Sequence, residues 1–204
     1  MRLSALLEGC LRGPYVHTRE GGDFRLTREG GRLFIFLPHS DGAEDWKNNL
    51  DFPVTRFGEG EGRLWVHRGF LRVWRAGAPH VLPAVCDGRT RSVVIAGYSH
   101  GAALALLCFA ECLCLRPALG AELCGYGFGA PRVLWGLGRK RARERFARFT
   151  VVRNTGDAVT HLPPACLGYF HTGQLLTVGE RGKYSPIDAH RPESILAELR
   201  NAEK

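Results

Sequence analysis

The sequence predicts an α/β fold, a mainly parallel, twisted sheet with helices on both faces, within one domain spanning residues 1–204. Three observations carry this. Short runs of β-branched and aliphatic residues alternate with longer helix-forming runs, the pattern of a parallel sheet covered on both sides. A Gly-x-Ser-x-Gly turn, Gly97 to Gly101, joins one such run to a long apolar helix. The chain has 204 residues, 45% of them hydrophobic, so it can bury a sizeable core. No apolar run reaches membrane-spanning length.

The elements follow in order. The first thirty residues are polar, arginine-rich and punctuated by Gly21-Gly22 and Gly30-Gly31, which suggests short strands or turns at a sheet edge. Arg32–Leu37 is a buried strand, ending at Pro38-His39-Ser40-Asp41. Residues 45–50 suggest a short helix capped by Ser40 or Asp41. Arg63–Val66 is a second strand. The stretch 67–74 reads as helical, with Phe70, Leu71 and Trp74 on one face, and Pro79 and Pro83 bracket the next connection. Ser92–Ala96 is the central strand, and the helix from His100 to about Leu115, apolar nearly all round, is expected to be buried. Strands at Leu123–Phe128, 148–153 and 175–178 and a terminal helix from Pro192 to Leu199 complete the pattern. No internal repeat or low-complexity linker interrupts it.

Net charge is +8. Much of the excess lies in residues 139–148, where Leu137, Phe146 and Phe149 suggest a helix with one buried side and one basic, solvated side. Its charge offers a weak contact to an anionic surface; nucleic-acid binding would rest on charge alone. The apolar part of Met1 to Glu8 is too short for a secretory signal. The seven cysteines, odd in number and scattered, fit reduced thiols better than a disulfide framework. Both features point to a cytoplasmic chain. Cys108 and Cys112 share a helix face at a metal-ligand spacing, but no second pair matches it, so they read as small core residues and no metal or organic cofactor is expected.

The chemistry centres on Ser99. Gly97 and Gly101 flank it where side chains would collide across a tight strand-to-helix turn, and the following helix presents N–H groups that favour developing negative charge. A serine nucleophile needs a base, and the base an orienting acid, from loops beyond the carboxyl ends of the strands. Asp157 stands just after one such strand. His161, His171 and His190 are downstream candidates for the base. His161 is four residues from Asp157 and His171 lies in an apolar stretch. His190 lies in the loop between the last strand and the last helix, a natural place for an imidazole reaching back over the sheet.

Several separate blocks, in one order, resemble the class 3 lipases, the fungal-lipase-like branch of the α/β-hydrolases. They are Phe34 to Ser40 with Asp45-Trp46 and Asn49-Leu50, then Val66-His67-Arg68-Gly69-Phe70, Gly97 to Gly101, Gly129-Ala130-Pro131-Arg132-Val133, and Asn154 to Gly173. The chain is especially similar to short bacterial members. The resemblance implies an α/β-hydrolase-like fold with Ser99 as nucleophile, Asp157 as orienting acid and His190 as general base. It implies an oxyanion hole from the N–H of His100 and from Ser40. His39, Trp46, Tyr98, His161 and His171 become pocket-lining or structural residues near the site. The sequence departs from the family pattern in four places. Tyr98 and His100 flank the serine, Pro38-His39 precede Ser40, no aromatic residue follows His190, and residues 41–47 are short and charged where fungal members carry an apolar lid. The last departure favours a soluble or small ester over activation at a lipid interface.

The expected activity is that of a serine carboxylic-ester hydrolase, a lipase or esterase acting through an acyl-enzyme. Two readings stand beside it. The basic helix suggests a phospholipid or other anionic acyl ester as substrate. The altered residues Pro38-His39 suggest a catalytically silent α/β-hydrolase serving as a binding module.

Overall fold

The computed structural model describes residues 1–18, 21–39, 51–59 and 63–204. Along the chain, α1 (Leu3–Leu11) leads to β1 (Arg25–Glu29), β2 (Arg32–Leu37), β3 (Val54–Phe57) and β4 (Leu64–His67). Then come α2 (Arg68–Cys86), β5 (Ser92–Tyr98), α3 (His100–Leu115), β6 (Leu123–Phe128), β7 (Leu134–Trp135) and α4 (Arg139–Arg145). The last elements are β8 (Phe149–Asn154), β9 (Tyr169–Phe170), β10 (Gln174–Val178) and α5 (Pro192–Ala202).

The main sheet has the order β1-β2-β5-β6-β8-β10. Only its edge strand β1 is antiparallel; β2, β5, β6, β8 and β10 run parallel. Strand periodicity sorts the core into two layers. Leu33, Ile35 and Leu37 of β2 and Val93 and Ile95 of β5 face α2 and α3, where Phe70, Trp74, Val81, Leu107 and Phe109 are buried. Phe34, Phe36, Val94, Ala96 and Tyr98 point the other way, onto Leu6, Leu7 and Cys10 of α1 and Ile195 and Leu199 of α5. With every side chain of β5 buried, the strand is fixed at the centre and so is the turn that leaves its end.

Four features differ from the sequence expectation. The first residues form α1, whose Leu6, Leu7 and Cys10 share one buried face; the polar composition downstream masks that short stripe. Helix α2 runs through Pro79 and Pro83, which a helix interior ordinarily excludes. Both prolines lie four apart on its exposed side, while Val73, Trp74, Val81 and Val85 keep the opposite face buried, and that burial outweighs the missing hydrogen bonds. Helix α4 is only seven residues long, and Leu137, expected in its buried side, is fully exposed. The strand expected at Arg63–Val66 is β4, and it belongs to a second, antiparallel sheet, β3-β4-β7-β9, whose other strands are too short to be legible in sequence. The expected helix at 45–50 lies outside the described residues.

Among the described residues no helix is long and apolar enough to cross a membrane. All seven cysteines are unpaired; Cys108 and Cys112 are core residues of α3, and no cluster among the described residues could hold a metal ion.

Candidate active site

Strand β5 delivers the chain to Ser99, whose φ of 56° and ψ of −119° make it the one non-glycine residue with positive φ among those described. A side chain held there costs on the order of 1–3 kcal/mol, which the surrounding packing must impose. The flanking glycines show how. A Cβ on Gly97 would overlap the carbonyl oxygen of Gly101, and a Cβ on Gly101 would overlap those of Leu37 and Pro38 at the end of β2. The Ser99 N–H donates to Phe128 O at 2.8 Å, tying the turn to β6. Ser99 is also the N-cap of α3, so its hydroxyl stands at the positive end of a 16-residue helix.

The acid comes from the end of β8. Its last residue, Asn154, opens a turn in which the Asp157 N–H donates to Asn154 O at 3.2 Å. Asp157 is completely buried. One carboxylate oxygen accepts the Val159 N–H at 2.9 Å and the other meets His190 Nδ1 at 2.9 Å. Behind it, the Thr160 hydroxyl donates to Asp157 O at 2.8 Å and His171 Nε2 donates to Thr160 O at 2.8 Å. His171 therefore braces the acid's loop.

The base arrives from the loop between β10 and α5. Its 3-10 turn, Asp188–His190, is held by Asn154 Nδ2, which donates to Ala189 O at 3.1 Å. The Tyr98 hydroxyl donates to His190 O at 2.8 Å, and its ring stacks on the imidazole with centroids 5.5 Å apart and planes 23° apart. Burial pushes the Tyr98 phenol up, so it stays a donor. Gly129, at φ +58°, lies beneath the pair; a Cβ there would crowd His190 and Asp157 Oδ2. His190 Nε2 lies 2.8 Å from Ser99 Oγ. With Nδ1–H directed at Asp157, Nε2 carries the lone pair that can take the serine proton.

Three residues expected to act together, Ser99, Asp157 and His190, are thus in hydrogen-bond contact. Ser40 and Trp46 lie outside the described residues. His39 is exposed, its ring edge-on to Tyr98 at 5.6 Å. His161 is exposed and its carbonyl accepts from Arg132. The His100 ring is buried edge-on against Phe70 at 5.4 Å, while its backbone N–H belongs to the first turn of α3, where N–H groups have no intrahelical acceptor. The sequence reading did not identify the parts played by Gly129, Asn154 and Thr160. Positive φ at Gly129 and the amide of Asn154 become meaningful only once β6, β8 and the His190 loop are neighbours.

The basic helix is far from this site. Ser99 caps the start of α3, and Arg145 of α4 reaches Cys114 Sγ, near its end, at 3.2 Å. At 1.5 Å per residue those ends are about 20 Å apart, more than two Debye lengths of about 8 Å at physiological salt. The charge that suggested an anionic acyl substrate does not reach Ser99. A cleft of about 790 Å³ between β3, α2 and α3, lined by Phe57, Arg75, Leu82, Leu115 and Arg145, lies at that same distant end.

Burial pushes the imidazoles of His100 and His171 down to about 4, with the neighbouring His67 adding to the effect at His100. Both are neutral in the folded protein at neutral pH. In the unfolded chain they charge near 6.5, so between pH about 6.5 and about 4 the unfolded state binds more protons and stability falls as pH falls. Each costs on the order of 2–3 kcal/mol by pH about 4. Urea midpoints measured across this window should fall less steeply for His100→Leu than for the wild type; parallel profiles would contradict the assignment.

A family model described as "Lipase (class 3)" matches residues 35–167. The "Secreted mono- and diacylglycerol lipase 1" of Fusarium solani is 32% identical over 175 residues, which cover 78% of this chain and 48% of that protein. The "Lipase" of Rhizomucor miehei is 28% identical over 155 residues, 70% of this chain and 40% of that protein. The chain thus spans less than half the length of these curated relatives. A fungal lipase–inhibitor complex superposes with a TM-score of 0.75 at 21% identity, covering 87% of this chain and 78% of that one, which establishes the fold. The expected likeness to short bacterial members finds no support in these fungal matches. The cytoplasmic expectation is corrected: the Fusarium relative is a secreted protein by name, and neither unpaired thiols nor a short apolar start fixes a compartment.

Proposed function

The chain belongs to the class 3 lipase family, and on that premise we propose that residues 1–204, as one domain, form a serine carboxylic-ester hydrolase acting on acyl esters of the glycerolipid kind. One observation carries the reading: the continuous relay from Asp157 through His190 to Ser99, at 2.9 and 2.8 Å. Ser99 Oγ attacks the ester carbonyl as its proton passes to His190 Nε2. The imidazolium so formed is stabilised by the buried Asp157 carboxylate. The N–H of His100 receives the developing oxyanion, with Ser40 as its partner, and two such donors lower the barrier by several kcal/mol. His190 then gives its proton to the leaving alcohol. Water, activated by the same histidine, releases the acid. Tyr98 and Asn154 are positioning residues, each bonded to the loop that carries the base.

The names of the two curated relatives support a lipid ester as substrate. The basic helix α4 supports a weak contact with an anionic surface, at a distance from the acyl site. An intact relay in hydrogen-bond contact speaks against a silent binding module.

A fluorophosphonate probe tests the proposal. We expect covalent labelling of the folded protein at Ser99, mapped by mass spectrometry of the labelled peptide, together with turnover of short-chain nitrophenyl esters. A folded protein that neither labels nor turns over would overturn it.

A further inference from the structure

We propose that the face carrying Trp65, Trp135, Leu137 and Leu167, bordered by the cations of α4, docks onto an anionic lipid surface. This extends the anionic contact proposed for α4 and assigns it the apolar residues that enter the interface. Trp65 and Trp135 are each 38% exposed, Leu167 51% and Leu137 fully exposed. They are contiguous. The two indoles meet edge to face at 6.4 Å, and Trp135 Nε1 donates to Leu167 O at 2.7 Å. Leu137 follows Trp135 by two residues, and a groove of about 410 Å³ runs past Trp65, Trp135 and Leu137 to Arg63 and Arg141. Large apolar side chains grouped this way mark a contact surface more often than a solvated one.

The charge around the patch selects the partner. The seven residues of α4 carry five cations and one carboxylate, and Arg56 lies over the Trp65 ring at 5.2 Å. Indoles and an aliphatic side chain beside clustered arginine and lysine suit the boundary between headgroups and acyl chains. Nucleic acid fits less well. Arg56 lies over one face of the Trp65 ring, and the two indoles meet edge to face rather than as an open stacking platform. Leu137 gains nothing from a phosphate backbone but gains from hydrocarbon.

Strand β4 carries Trp65 and, two residues on, His67, whose ring stacks on Phe70 at 4.1 Å; Phe70 in turn packs on His100, next to Ser99. These packed rings link strand β4 to the turn of Ser99, while the patch itself lies toward the α4 end of α3.

Flotation with vesicles of phosphatidylcholine, with and without phosphatidylglycerol, tests the assignment. The wild type should bind the anionic vesicles at least about tenfold more tightly, and less so as salt rises. Leu137→Glu should lose about tenfold, and Lys140→Glu with Arg141→Glu should abolish the preference for anionic vesicles. An unchanged urea midpoint and unchanged turnover of a water-soluble ester would show that Leu137→Glu folds normally. Binding of Leu137→Glu equal to wild type, no binding of wild type to anionic vesicles, or binding to duplex DNA in place of vesicles would overturn the proposal. Vesicle binding without ester turnover in the wild type would uphold the docking face and overturn the hydrolase reading alone.

Discussion

Ser99→Ala and His190→Ala are each expected to lower kcat for ester hydrolysis by about 10⁴- to 10⁶-fold, and the double variant by no more than the worse single one. The expectation follows from a shared step. Ser99 Oγ cannot attack without giving up its proton, and the acceptor 2.8 Å away is His190 Nε2. Once either group is missing the other has no work left, so the losses do not add. His171→Ala separates the alternatives for the base. Among the described residues His171 reaches the site through its bond to Thr160 O, so its loss should cost about tenfold or less, through slackening of the Asp157 loop. If His171→Ala abolished turnover while His190→Ala did not, the base would be misassigned. Nitrophenyl ester kinetics, with fluorophosphonate labelling as a count of competent serines, provide the measurement.

Gly101→Ala is the second large effect, and it reaches the fold as well as the activity. The new methyl group would overlap the carbonyl oxygens of Leu37 and Pro38, which are backbone and cannot swing aside as a side-chain tip could. Either α3 or the end of β2 must move. Overpacking of this kind costs about 1–3 kcal/mol, and a shift of even about 1 Å between Ser99 and the end of β2 should lower turnover about 100-fold. The contrast is Gly88→Ala, where nothing lies within 4 Å of the added carbon. That change should leave the urea midpoint within about 0.5 kcal/mol of wild type and turnover unaltered. Equal behaviour of the two variants would mean that the approach of β2 to α3 does not set the turn.

Much of this protein can be read from the chain. The continuous apolar runs of β2 and β5 and the all-round apolar character of α3 are properties of local sequence, and they place a parallel strand and a buried helix on either side of Ser99. Gly97 and Gly101 announce the turn because the backbone tolerates no side chain there. Strand-end positions offered Asp157 and three downstream histidines, and the family resemblance favoured His190 among them. Other features carry no local signal. Pro79 and Pro83 argue for a break that α2 does not make, since the burial of Trp74, Val81 and Val85 is decided by the sheet beneath them. Strands of two residues exist only through their neighbours, β7 because β4 lies alongside and β9 because β7 does.

The sequence by itself singled out Ser99 by its tight turn and Asp157 by its place after a strand, and the family resemblance added His190 as the proposed base. Tertiary structure alone decided how those three are held. It brought Asn154 to the His190 loop, set Tyr98 against the imidazole and cleared space beneath with Gly129. It also moved the basic helix to the far end of α3 and grouped Trp65 with Trp135 on the outside. These are contacts between residues 31 to 92 positions apart, or between charge and a site many ångströms away. Hydrophobic periodicity reports only which face of an element is buried, and says nothing of which distant element will cover it.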